Sequence, residues 1–424
     1  MIKIFEYSEE TLKEIFDRTP TTSTVSGIVA DIIKNVVENG DSALYEYAKK
    51  FDKADLSSIE VSKDEMDEAI SLVEPEFLMI LERAAENIRA YHKMQKRCGF
   101  EIKDDDGKIV GQRVSPIEKV GVYVPGGTAA YPSTVLMDTI PAVIAGCPQI
   151  VMTTPPNKEG KVNPYILAAA KVAGVHRVFK MGGAQAVAAL AYGTETVPAV
   201  YKIVGPGNAF VAEAKRQVFG KVSIDMIAGP SEILVIADES ANPRYLAADL
   251  LSQAEHDKMA TAVLVTNSRV LAEKVQLEIE NILETLERKE IARASIDNNS
   301  KIIVANDLET VFDISNEIAP EHLEICLDDP FKWLDKVKNA GSVFLGNYTP
   351  EAMGDYYAGP NHTLPTSGTA KFSSALGVDD FIKKTQYCYY TEKALDKVWQ
   401  DVDYFAKKEG LTAHALSASI RSEK

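Results

Sequence analysis

Positive charge is in short supply. The 424-residue chain has 46 Lys and Arg against 62 Asp and Glu, a formal net charge of −16. A nucleic-acid binder normally carries a basic face, so that class of partner is not expected. Cysteine is scarce as well. Cys98, Cys147, Cys326 and Cys388 are scattered, with no Cys-x-x-Cys pair. That excludes a disulfide scaffold and predicts a reduced, cytoplasmic setting. Long apolar runs are missing too. Met1–Glu10 lacks the apolar core of a signal peptide, and every later apolar stretch is broken by Gly, Pro or charge short of a membrane span. No membrane partner is expected. No internal repeat or low-complexity segment stands out.

What is present is a globular composition, 46% hydrophobic and 25% charged. The length predicts at least two domains. Residues 1–100 read as helices: Ile28, Val29, Ile32, Ile33, Val36 and Val37 share a face, and Asn39-Gly40 stops it. Ser62 with Glu65 is a capping-box pattern. Asp104–Gly107 reads as a hairpin turn. From Val120 the period changes to strand, glycine turn, helix, repeated, which predicts right-handed βαβ units on a parallel sheet. A second such series begins after Val222. The expected fold is therefore α/β, with two Rossmann-like parallel-sheet domains, a boundary near Tyr123 and a return near Gly229-Pro230. Residues 347–375 show no period and read as a long loop, a feature that tends to be functional. Val378–Lys384 and Lys393–Lys408 read as helical.

Candidate chemistry falls at a few places. Gln253 and His256 lie three apart near the end of a helical pattern opened by Asn242-Pro243, so both can face one point. Asp355 stands in the Gly- and Pro-rich loop with His362, and His414 lies near the C-terminus. Gln253, His256, Asp355 and His414 would make an N2O2 donor set suited to Zn²⁺ or a neighbouring first-row ion. Spacing alone does not bring the four together. Glu321-His322, after Pro320, can be an acid–base pair or a surface Glu beside a satisfied histidine. Three glycine turns, Pro125–Gly127, Gly182-Gly183 and Gly205-Pro-Gly207, can cradle a phosphate or be ordinary βα turns. None is a full Gly-x-Gly-x-x-Gly.

Taken together, the motifs resemble the histidinol dehydrogenase family. They are Gly121–Gly127, Gly182–Gln185, Gly205–Phe210, Ala228–Ser231, Ser252–His256, Ala319–His322, Gly354–Tyr356, Pro360–Pro365 and Glu409–His414. Thr366–Ser374 also resembles the histidinol enzymes rather than relatives acting on other small alcohols. The resemblance implies oxidation of L-histidinol through L-histidinaldehyde to L-histidine, with two NAD⁺ and water, the last step of histidine biosynthesis. It implies one zinc per subunit on Gln253, His256, Asp355 and His414. His322 would be the general base, and Glu321 would activate water. Ser231, His362 and Glu409, with the zinc ligands and His322, would contact substrate. Tyr123, Gln185 and Asn208 would contact NAD. It also implies an intertwined homodimer in which Glu409 and His414 come from the partner chain. The domains would be a helical segment 1–24, a substrate and zinc domain of 25–122 with 231–376, an NAD domain of 123–230, and a helical C-terminal domain of 377–424.

Overall fold

The computed structural model describes residues 1–16, 25–126 and 130–422. Gly127 and most of residues 1–24's second half, from 17 on, lie outside the described residues. The chain forms two compact units, residues 1–95 with 118–381 and residues 96–117 with 382–424.

Fourteen strands occur among the described residues. They are β1 (Lys3–Glu6), β2 (Phe100–Lys103), β3 (Ile109–Pro116), β4 (Lys119–Tyr123), β5 (Gln149–Thr154), β6 (Arg177–Lys180) and β7 (Lys202–Val204). Then come β8 (Ser223–Ile224), β9 (Glu232–Ala237), β10 (Thr261–Thr266), β11 (Lys301–Val304), β12 (His322–Cys326), β13 (Ser342–Leu345) and β14 (Ile382–Tyr389). The larger unit holds two parallel sheets. The first has the order β6-β5-β4-β7-β8 and the second β1-β11-β10-β9-β12-β13. Each reverses its winding once, between β4 and β7 in the first and between β9 and β12 in the second. The expected α/β fold with two parallel sheets is what the chain adopts.

Burial explains the strand sequences. Ile233–Ala237 and Ala262–Val265 are at most 3% exposed, because helices cover both faces of a parallel sheet. One core layer gathers Leu246, Leu250, Leu271, Val275 and Ile279 on one face of the second sheet. Another gathers Val311, Phe312 and Ile314 on the other face. Asparagine caps set the helix starts: Asn163 accepts from the Tyr165 N–H and Asn242 from the Arg244 N–H, both at 2.9 Å. The Ser62 hydroxyl likewise accepts from the Glu65 N–H at 3.1 Å.

Four expectations change. Residues 3–6 form strand β1, parallel to β11, not helix; four residues at a sheet edge are too few to show a period. The helix expected to stop at Gly40 resumes through it to Tyr47, because Gly40 takes φ 52° and ψ −132° and kinks the chain without ending it. Helix Ser26–Tyr47 packs on the helices after β6 and β7, and so belongs to the first sheet's layer, although residues 25–122 are expected with the second. An amphipathic face does not say which sheet it covers. Finally, only Val378–Phe381 is helical; Ile382–Tyr389 is strand β14, rich in β-branched and aromatic residues.

The smaller unit is an antiparallel sheet, β14-β3-β2, with helices Trp399–Lys408 and Thr412–Ser419 packed on each other. The expected hairpin turn is present, and Thr391, Lys393 and Lys397 bind Asp106 at its tip.

Candidate active site

Strands β9 and β12 begin side by side. His322 opens β12, and its Nδ1 lies 3.0 Å from the carbonyl of Glu232, which opens β9. A carbonyl only accepts, so Nδ1 carries a hydrogen, and in the neutral ring Nε2 is left as an acceptor. Nε2 is buried without a hydrogen-bond partner. It faces Glu351 Oε1 at 3.6 Å and Asp355 Oδ1 at 3.8 Å. These three residues could hold a metal ion, with ligand atoms all within 4.8 Å of one another. Glu321, also buried, accepts from the Glu232 N–H at 2.8 Å and lies 3.6 Å from His322 Nδ1.

Helix Pro243–Ala254 runs back from β9, so its C-terminal end reaches the starts of the strands. That end delivers Gln253, fully buried, with its amide 2.7 Å from Glu351 Oε1. Nitrogen inward, the amide donates to the carboxylate, and its oxygen accepts from the Glu232 N–H at 3.1 Å. Oxygen inward, two acceptors face one another, and only a shared cation would hold them. His256 lies one residue past the helix cap, more exposed, on the rim. Asp355 does not sit in an irregular loop as expected. It ends a short helix, Glu351–Tyr356, and lies 3.8 Å from His362 Nδ1. Ser231 immediately precedes β9 and is partly buried.

Electrostatics follow from burial and crowding. Burial pushes the Glu321 carboxyl up to about 8 and Glu351 up to about 7. Burial alone would depress His322, but the carboxylates of Glu321, Glu351 and Asp355 outweigh it and raise the imidazole well above its ordinary 6.5. Burial would raise Asp355, yet the His322 contact and the neighbouring imidazoles hold it below the ordinary value. His256 and His362 are lowered, chiefly by loss of surrounding water. Clustered perturbed groups of this kind mark functional sites.

Sequence reasoning missed Glu351 and its buried neighbours Glu324 and Asp249. The Glu351 N–H donates to Glu324 Oε1 at 2.7 Å, and the Ser252 hydroxyl donates to Glu351 Oε2 at 3.1 Å. Burial raises Glu324 well above its ordinary value and Asp249 to about 6. Pro350-Glu351 at a helix start looks like an ordinary helix opening; the only signal was its place four residues before Asp355, one helical turn away.

The first sheet gathers the other candidates. Tyr123 ends β4; its buried hydroxyl accepts from the Gly183 N–H at 3.0 Å, and burial pushes it up to about 12. Gln185, buried, lies in the first turn of helix Gly183–Tyr192. Asn208 follows β7 and caps helix Ala209–Val218 by accepting from the Phe210 and Val211 N–H groups. Gly205 has φ +117°, and a Cβ there would stand 2.0 Å from the Tyr123 carbonyl, so the turn requires glycine. All three lie at or just after the C-terminal ends of strands, Tyr123 and Asn208 beside the winding reversal, the usual ligand crevice of such sheets, and Gln185 after the edge strand β6.

Glu409 and His414 are exposed and belong to the smaller unit. The larger unit by itself brings together Gln253, His322, Asp355 and His362, with His256 at the rim.

The sequence profile described as histidinol dehydrogenase matches residues 17–422. The chain belongs to the histidinol dehydrogenase family. A histidinol dehydrogenase of Clostridium acetobutylicum is 57% identical over 390 residues, 92% of this chain and 90% of that one. One from Streptococcus mutans is 55% identical over 400 residues, 94% and 93% of the two chains. The crystal structure of histidinol dehydrogenase from Elizabethkingia anophelis superposes with a TM-score of 0.95 at 40% identity, covering 99% of this chain and 98% of that one. Membership makes the chain an oxidoreductase of histidine biosynthesis. The four cysteines are free, and no helix among the described residues is long and apolar enough to cross a membrane.

Proposed function

We propose that the protein oxidises L-histidinol to L-histidine by two successive hydride transfers to NAD⁺, using His322 and Glu321 on substrate held at a zinc site. One observation carries the reading: His322 Nε2 is a buried, unpartnered acceptor aimed into a pocket of metal-ligating groups. In the first step His322 Nε2 takes the alcohol proton as hydride leaves the carbinol carbon for the nicotinamide. The Glu232 carbonyl keeps the ring in the tautomer that leaves Nε2 free. Glu321, next to the imidazole, then orients water against the aldehyde carbon and receives its proton before the second hydride leaves. Glu321 and His322 are both raised, so each would hold a proton at neutral pH; positive charge held by Asp355 would lower both toward the range in which they accept.

The donor chemistry suits zinc. Gln253, His256 and Asp355 would hold it in this chain; with its oxygen inward the Gln253 amide faces the Glu351 carboxylate, and a cation between them would relieve that approach. A zinc ion bound there would anchor the nitrogen donors of histidinol. His362 and Ser231 would orient the remaining substrate groups. Tyr123, Gln185 and Asn208 would line the NAD site on the first sheet.

His414 and Glu409 would complete the site of a second copy in a homodimer. Tyr404, Phe405 and Leu416 are more than half exposed on the unit that carries both residues, an apolar surface that a partner would cover. Mixing an inactive His322→Asn variant with an inactive His414→Asn variant should then restore activity, since one site of each mixed dimer is intact. No restoration would place both residues in one chain's site.

The deciding assay supplies the protein with Zn²⁺, histidinol and NAD⁺. Two NADH per histidinol, with histidine as product, are expected. One NADH with aldehyde accumulating would refute the two-step reading, and no turnover would refute the substrate.

A further inference from the structure

Helix Pro132–Ala145 leaves the cofactor-side loop after β4, and among its mostly apolar buried residues it carries polar ones. Thr134 and Asp138, one turn apart, are at most 2% exposed. The residues that flank His362 dock on this turn. Asn361 Nδ2 donates to the Met137 carbonyl at 2.6 Å, and the Thr363 hydroxyl donates to Asp138 Oδ1 at 2.6 Å. Thr134 Oγ1 lies 3.3 Å from His362 Nε2, and Asn361 Oδ1 accepts from the Thr363 N–H at 2.8 Å. Three consecutive residues are thus pinned to one helical turn.

The other side of Asp138 meets the cofactor turn. Its Oδ2 has no hydrogen-bond partner and would stand 3.1 Å from a Cβ placed on Gly205. Gly205 is itself fixed: its N–H donates to Asp225 Oδ2 at 2.8 Å, and Lys215 Nζ donates to its carbonyl at 3.0 Å. Lys215 and Asp225 form an ion pair in the core. Asp138 therefore stands between the turn that ends β7 and the segment that carries His362. An apolar residue would fill this space with less desolvation cost, so the polar cluster gains nothing by burial alone.

We propose that Asp138 and Thr363 are positioning residues that hold His362 in register with the Gly205–Gly207 turn, fixing substrate relative to cofactor. This rests on the histidinol and NAD⁺ reading above. Neither residue touches substrate; both act through His362. Burial pushes the Asp138 carboxyl up to about 8, so at neutral pH it supports the contact without placing a charge beside the turn.

Thr363→Val removes the hydroxyl and keeps the branched shape. The kcat/KM for histidinol should fall between about ten- and a hundredfold, with zinc content unchanged, as slight misplacement of a substrate contact does. Thr363→Ser should return it to within about threefold of the unmodified enzyme. In a His362→Asn background the same Thr363→Val change should cost less than about twofold, because nothing is left to position. A merely structural role would lower Tm and folded yield and leave the kcat/KM of the folded enzyme alone. The proposal is overturned by an unchanged kcat/KM in Thr363→Val, or by an equal fall in both backgrounds. Should the valine variant not fold, Asp138→Ala is taken through the same cycle with the same two criteria. No histidinol turnover by the unmodified protein overturns the substrate reading and this proposal together. Turnover there with unaffected variants overturns the positioning alone.

Discussion

The two parallel sheets share a winding order but put opposite edges to use. The first gathers Tyr123 and the Gly205 turn at the C-terminal ends of β4 and β7. The second gathers Glu232 and His322 at the N-terminal ends of β9 and β12. Both sites lie where the winding reverses, but topology itself opens a crevice only at the carboxyl ends used by the first sheet; at the second the side chains build the site. What differs is the lining. The first edge offers backbone turns and buried neutral groups, suited to a large cofactor that backbone N–H groups can approach. The second offers carboxylates and imidazoles brought in by the end of helix Pro243–Ala254 and by helix Glu351–Tyr356. On the proposed reading, cofactor binding and proton transfer would be divided between the sheets.

The sharpest way to break that division is at His322. His322→Asn should lower turnover by about a thousandfold, within the range of a lost general base. NAD⁺ affinity and zinc content should stay near those of the unmodified enzyme, read by cofactor titration and metal analysis. A matching loss of NAD⁺ binding would show that the second sheet also builds the cofactor site.

Asp355→Asn comes next. It should weaken zinc retention by more than about a hundredfold, beyond what loss of a merely supporting hydrogen bond costs. Competition with a chelator measures this without reference to activity. Zinc held as tightly as before would move the metal toward His322 and Glu351 and away from the donor set expected from sequence.

Gly205→Ala tests the opposite edge. The added Cβ meets the Tyr123 carbonyl and forces a positive φ, a strain of about 1–3 kcal/mol. The Michaelis constant for NAD⁺ should rise by about tenfold, with zinc retention unaltered. Zinc loss in this variant would mean that the two edges are not separable.

The sequence made some of this legible and hid the rest for physical reasons. Strand and turn patterns placed most of β4 to β13 closely, because runs such as Ile233–Ala237 are apolar throughout; two-residue β8 was not seen, and β12 begins at His322, two residues before the expected Glu324. Gln253 and His256 were readable as neighbours because helix geometry ties residues three apart. His322 was ambiguous locally, since its role depends on Glu232 and Glu351, 90 and 29 positions away in the chain. Glu351 gave no warning: a carboxylate in the first turn of a helix usually stabilises that helix from solvent, and here it is 2% exposed. Short edge strands such as β1, and strand β14 after a single helical turn, lack enough residues or contrast to declare themselves. Motif resemblance, not periodicity, supplied the remaining partners of the zinc set.

A test that leaves catalysis aside separates the two sheets by their titration. Asp138, beside the first sheet, is pushed by burial from its ordinary 3.8 up to about 8. Below about 3.8 the folded and unfolded chains both hold its proton. Between there and about 8 the unfolded chain has released the proton and the folded one has not. Stability from this group therefore falls as pH rises through that window and is constant above it. Asp138→Asn cannot titrate, so the variant's Tm relative to the unmodified protein should climb from pH 4 to pH 8 and then level. Thermal melts of metal-stripped protein across that range measure it. The slope that persists in the variant comes from the other shifted groups, among them Glu321 near 8, Glu351 near 7 and Asp249 near 6. A Tm difference that did not change with pH would mean that Asp138 is ionised in the folded protein, and that the first edge is as charged as the second.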